Sequence, residues 1–121
     1  MKNKQEGRLD ALFSRYIRAR AEYKCEFCGK QHLPNSQGLH CSHFIGRRYR
    51  TTRWEPDNAS SLCFTCHNMM HDFASIHRDF FVKRLGSERV ENLEMIARIR
   101  SKPDKDEIEA KLEERLKALE L

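Results

Sequence analysis

Two Cys-x-x-Cys pairs, Cys25-Glu26-Phe27-Cys28 and Cys63-Phe64-Thr65-Cys66, stand 34 residues apart and constrain this chain more than any other feature. One tight turn can present two thiolates to a tetrahedral ion at about 2.3 Å per sulfur, and a second such turn closes the shell. Gly29 directly follows Cys28 and suits a knuckle whose backbone N–H groups face the sulfurs. A closed four-thiolate site has no open position, so the Zn2+ it implies supplies folding energy rather than catalysis. Cys41 makes the cysteine count five, and an odd count in a chain expected to be cytoplasmic argues against a disulfide framework. Cys41 itself is expected to be a small buried hydrophobe rather than a ligand.

A chain of 121 residues has room for one domain, and the division expected is an N-terminal helix over 1–24, a zinc-knotted core over 25–73 and helices over 74–121. With 39% hydrophobic and 34% charged residues the core is small, and a metal staple offsets that. No apolar run approaches the roughly 18 residues of a membrane span, and Met1 to Arg8 lacks the apolar stretch of a signal peptide. The expectation is a cytoplasmic chain with no membrane partner. The net charge of +5 is unevenly placed: residues 1–53 carry 12 Lys and Arg against 4 Asp and Glu, and residues 54–121 carry 11 against 14. That asymmetry suits one face that meets a polyanion, although a solvated surface accounts for charge alone equally well.

From Asn3 to about Tyr23, Leu9, Leu12, Phe13, Tyr16, Ile17 and Ala21 fall at helical spacing. Leu39 to Tyr49 has the short, mixed character of a strand leading into an Arg-rich turn. The turn formers Pro56, Asp57 and Asn58 make residues 50–62 either a hairpin or an open loop. Helical character returns from Cys66 through Phe73, from Ile76 to Leu85 with Gly86 as its stop, and from Glu88 to Arg100. Beyond Pro103, Asp104 is a plausible N-cap with Glu107 three residues on. Ile108, Leu112, Leu116 and Leu119 then form a stripe that can dock on its own domain or on a second copy.

Between the knuckles lies Cys41-Ser42-His43-Phe44, and the second knuckle runs directly into His67, with His71 four residues later. Imidazoles at i and i+4 share a helix face and converge on one ion. Asn58 stands between His43 and His67. His32, His40 and His77 have no partner pattern and are expected to be surface or structural residues.

His43, Asn58 and His67, threaded between two Cys-x-x-Cys pairs, resemble the HNH (ββα-metal) endonuclease motif on a treble-clef scaffold. A narrower similarity covers residues 9–71. Leu9-Asp10-x-Leu12-Phe13-Ser14-x-Tyr16-Ile17-Arg18-x-Arg20, Cys25-x-x-Cys28-Gly29-Lys30, His43-Phe44-Ile45 and Thr52-Arg53-Trp54 are similar to phage NinG/Rap-type recombination endonucleases, which act on branched DNA.

The resemblance implies an α+β fold, a small treble-clef/ββα-metal zinc-bound core with an N-terminal helix and C-terminal helices. It also implies phosphodiester hydrolysis with His43 as general base, His67 as ligand to a divalent ion such as Mg2+ or Mn2+, and Asn58 aiming His43 by bonding across the loop. Ser42 departs from the family pattern, in which an Asp or His often precedes the base as a ligand. The ion is therefore expected to rest on His67, with His71 as the second donor. Arg47, Arg48, Arg50 and Arg53 follow the base closely enough to clamp DNA phosphates, giving weak sequence specificity and steep salt dependence. Trp54 is either a stacking platform for an exposed base or a core residue.

Two rival functions fit the same zinc knot: a non-catalytic module that binds DNA or a recombination partner, and a sequence-specific restriction or homing nuclease. The chain offers no separate recognition domain for the latter. Resolving a junction takes two cuts, so a homodimer is mechanically attractive.

Overall fold

The computed structural model describes residues 3–120. The fold is mixed: among the described residues, six helices accompany one small antiparallel sheet of two strands. Helix α1 (Lys4–Arg20) starts where the Asn3 side chain accepts a hydrogen bond from the Gln5 N–H at 2.9 Å. Leu9, Phe13 and Ile17, four residues apart, form one fully buried stripe of this helix. It ends three residues short of the expected Tyr23, because Glu22 and Tyr23 take φ of +54° and +61° and turn the chain toward the first knuckle.

Strand β1 is Leu39–His43 and leads into a turn over Gly46–Tyr49 that holds Arg47 and Arg48, as expected for Leu39 to Tyr49. It pairs with β2 (Ala59–Cys63), with Leu39 opposite Cys63 and His43 opposite Ala59. The connection is neither a tight hairpin nor an open loop. It contains the short helix α2 (Arg50–Arg53) and a single 3-10 turn at Pro56–Asn58. Helix α3 (Phe64–Asp72) follows β2 without a break, capped by Cys63, whose sulfur accepts from the Cys66 N–H at 3.5 Å. The fold continues through α4 (Ala74–Leu85), α5 (Ser87–Ala97) and α6 (Lys105–Glu120). Gly86 joins α4 to α5 at φ +90°, a conformation that L side chains rarely adopt.

Two apolar clusters hold these elements. One gathers Leu9, Phe13, Ile17, Trp54, Ala59 and Leu112, so α6 docks on α1 of its own chain. Of the terminal stripe, Leu112 and Leu116 are buried while Leu119 is exposed. The second cluster gathers Leu62 and Met70 around Cys25, Cys63 and Cys66. Trp54 is 4% exposed and belongs to the first cluster, which removes it as a stacking platform. No helix among the described residues is long and apolar enough to cross a membrane.

Candidate functional site

The first knuckle is built where Cys25 receives the Cys28 N–H on its sulfur at 3.4 Å and Gly29, at φ +81°, bends the chain back. It is sewn to β2 by the Glu26 N–H donating to the Ser61 carbonyl and the Ser61 N–H donating to the Glu26 carboxylate. The second knuckle is the junction of β2 and α3. Together they bring the sulfurs of Cys25, Cys28, Cys63 and Cys66 within 4.8 Å of one another. The Cys28 and Cys63 sulfurs are 3.8 Å apart, and a tetrahedron with 2.3 Å bonds has edges of about 3.8 Å.

Electrostatics lead to the same conclusion. Burial and the neighbouring Cys63 and Cys25 sulfurs push the Cys66 thiol up, so Cys66 joins the others as a thiolate only beside a cation. This is a structural metal site such as zinc occupies. Cys41 lies outside it, packed against the α1 cluster, with burial pushing its thiol up to about 12.

Beside the knot, a cleft of about 710 Å³ opens between α1, β1 and α3. His43, His67 and His71 all line it, as do His40, Arg18 and Arg47. His43 reaches it from the end of β1, its ring packed 5.4 Å from the Phe13 ring. The His43 Nε2 lies 2.8 Å from the Arg53 carbonyl oxygen. A carbonyl can only accept, so Nε2 carries the hydrogen and Nδ1 of the neutral ring keeps the free lone pair. Burial holds the His43 pKa below the usual imidazole range, with Arg47 adding to the effect, so the ring is in its basic form at neutral pH.

Asn58 is fully buried and spans the connection. Its Oδ1 accepts from the Ile45 N–H at 2.9 Å, and its Nδ2 donates to the Ile45 and Thr52 carbonyls, both at 3.0 Å. It therefore ties the chain just after His43 to the residue before Arg53, whose carbonyl fixes the His43 ring. Asn58→Ala strands the Ile45 N–H and carbonyl, while the Thr52 carbonyl keeps the Glu55 N–H, and should lower stability by about 3 kcal/mol, measured by urea unfolding. Asn58→Asp should not rescue it, because a carboxylate would face both carbonyl oxygens.

His67 and His71 both reach the cleft from α3, and burial together with the nearby His40 and His71 keeps His67 below its ordinary pKa, hence neutral. Its Nδ1 is buried without a hydrogen-bond partner among the described residues. Two imidazoles on one helix, one of them neutral with an unpartnered ring nitrogen, fit a divalent transition metal or similar ion. The four sulfurs are the one group of three or more converging metal-ligating side chains among the described residues. Ser42 is 2% exposed and does not line the cleft, so it is no substitute for the Asp or His of the family pattern.

The arginines divide. Arg47 is exposed at the cleft, and Arg48 leans on Tyr49, whose hydroxyl lies 2.6 Å from the guanidinium. Arg50 donates to the Glu6 carboxylate at 2.8 Å while its side chain remains half exposed. Arg53 is the correction. It is 8% exposed and fork-bonded to Asp10 at 3.0 and 2.6 Å, so it braces the fold and is not free for a phosphate.

Two residues of the cleft carried no predicted role. His40, expected to be a surface or structural residue, stacks on His67 with ring centroids 5.0 Å apart and planes within 2°. Asp10 binds Arg53 and also accepts from the Trp54 indole N–H at 2.9 Å. Burial opposes its charge, but the Arg53 and Trp54 hydrogen bonds hold the carboxyl below its ordinary pKa. A signal for Asp10 was present in the sequence: Asp10, Ser14 and Arg18 repeat every four residues beside the Leu9, Phe13, Ile17 stripe, and all three line the cleft.

No family model, curated protein or solved structure matches the chain.

Proposed function

We propose that this chain is a metal-dependent DNA endonuclease of the HNH (ββα-metal) type, acting on branched or structured DNA in phage recombination. In this reading the first knuckle, the β1 and β2 pair and α3 constitute the treble-clef core. The observation that carries the reading is the shared cleft: an imidazole with a fixed tautomer opens onto the same space as two imidazoles on one helix and an unburied arginine.

Within it, His43 takes a proton at Nδ1 from a water that attacks phosphorus. The bond to the 3′ oxygen breaks and that oxygen takes a proton from solvent, leaving a 5′-phosphate and a 3′-hydroxyl. Asn58 and the Arg53 carbonyl hold the His43 ring in place, and Arg47 holds a phosphate at the cleft. A divalent ion on His67 and His71 would supply Lewis-acid stabilisation of the charge that develops on the phosphate.

The test is a cleavage panel of linear duplex, flap and four-way junction in Mg2+ or Mn2+. Metal-dependent cutting that favours the branched substrates is expected. Absence of cutting under any divalent ion would contradict catalysis, and discrete sequence-defined products on linear duplex would contradict structure selectivity.

Asp10 is a positioning residue in this scheme, because it clamps the Arg53-Trp54 turn whose carbonyl orients the base. Asp10 also favours the charged form of His43. Asp10→Asn should lower kcat by about tenfold to a hundredfold, with KM little changed. The sign of the pH effect follows from the lost anion: the acid limb of kcat, already below the ordinary imidazole pKa, should move lower still. A merely structural role would reduce the active fraction without moving that limb.

A further inference from the structure

A second groove, of about 670 Å³, lies between the Arg48–Thr51 stretch and the segment that leaves α5. Ten residues line it, of which Arg48, Arg50, Arg98, Arg100 and Lys102 are cationic and none is acidic. Its walls are tied together where the Thr51 hydroxyl donates to the Ile96 carbonyl at 3.0 Å. Glu6 neutralises Arg50 from one side. Among the described residues, Arg48, Arg98, Arg100 and Lys102 have no carboxylate within ion-pairing distance, whereas most of the arginines elsewhere on the surface do. The C-terminus of α5 contributes only about half a negative charge, which does not account for four uncompensated cations.

The three C-terminal cations sit at every second position of Arg98-Ile99-Arg100-Ser101-Lys102, in the half of the chain whose net charge is negative. The groove also adjoins the histidine cleft in sequence: Arg47 lines the cleft and Arg48 lines the groove.

We propose that Arg48, Arg98, Arg100 and Lys102 form a second phosphate track, holding the backbone of a DNA arm that extends away from the scissile phosphate. This rests on the endonuclease reading, which places that phosphate in the cleft. The track positions DNA and takes no part in bond breaking. It lets a single small domain grip a substrate on two sides of the Gly46–Tyr49 turn, as a branched substrate requires.

The experiment measures affinity for a duplex of about 30 base pairs against salt concentration, for the zinc-loaded wild type and for the triple variant Arg98→Ala, Arg100→Ala, Lys102→Ala. Each phosphate contact contributes about 0.9 to the slope of log affinity against log salt, so the triple variant should lose about 2.7 and each single variant about 0.9. Its single-turnover cleavage rate at saturating protein should equal that of the wild type. A control triple on α6, Lys111→Ala, Arg115→Ala, Lys117→Ala, removes the same charge from another face and should keep the wild-type slope. An unchanged slope in the groove variants, or an equal loss in the α6 control, overturns the track while leaving the nuclease reading intact. A wild type that binds DNA without salt dependence and cuts nothing overturns both.

Discussion

His43→Ala protein should bind DNA within about twofold of wild type yet cut it at least about a hundredfold more slowly in Mg2+ or Mn2+, the contribution typical of a positioned base. The prediction follows from the tautomer. The Arg53 carbonyl occupies Nε2 at 2.8 Å and leaves Nδ1 as the basic atom of the ring. The proposed phosphate contacts are on Arg47 in the cleft and on the groove cations, so affinity should survive. Some stability will be lost, because the Arg53 carbonyl loses its donor and Phe13 its ring contact, and the comparison should be made well below the melting temperature. His43→Gln separates chemistry from packing: an amide can donate to the Arg53 carbonyl but cannot accept the proton, so it should regain stability and not rate. Equal cleavage by wild type and His43→Ala would remove His43 as the base.

Stripping zinc should have a still larger effect on the fold. Structural zinc sites contribute about 10–16 kcal/mol at neutral pH, against about 5–15 kcal/mol for the whole stability of a small domain. The apolar cluster around Leu62 and Met70 is assembled on Cys25, Cys63 and Cys66, and Cys63 also caps α3, so loss of the ion removes the second knuckle and the start of the helix bearing His67 together. A strong chelator, or Cys63→Ser, should abolish the cooperative thermal transition followed by circular dichroism. Cys41→Ser should retain it, with one zinc per chain by atomic absorption, since Cys41 lies outside the knot. A chelated protein that melts cooperatively at the wild-type temperature would show that packing alone sustains the fold.

The parts of this molecule legible in the sequence are those fixed by short-range spacing. Cys-x-x-Cys sets two sulfurs on one turn, and apolar residues four apart set the buried stripes of α1 and α6, whatever the rest of the chain does. Residues 50–58 were less legible: Pro56, Asp57 and Asn58 are equally at home in a turn, a loop or the 3-10 turn they form. Arg53 reads as a free cation beside Arg47, Arg48 and Arg50, because the acid that takes it, Asp10, is 43 positions away. His40 shows the same limit. Its place against His67 depends on a strand register, His40 opposite Leu62, and on the direction in which α3 leaves β2. Asn58 was readable as a tie across the loop, but the three backbone groups that it satisfies are settled only once α2 closes the connection.

The proposed hydrolysis at the cleft requires a second ion beside His43, distinct from one held by the four sulfurs. The direct measurement is an anomalous difference map from crystals of the zinc-loaded protein soaked in Mn2+. It should show one zinc peak among Cys25, Cys28, Cys63 and Cys66 and one manganese peak at ligand distance from His67 and His71. Manganese confined to the sulfurs, or a cleft that stays empty at saturating Mn2+ with DNA bound, would contradict metal-assisted cleavage and leave a zinc-folded DNA-binding module.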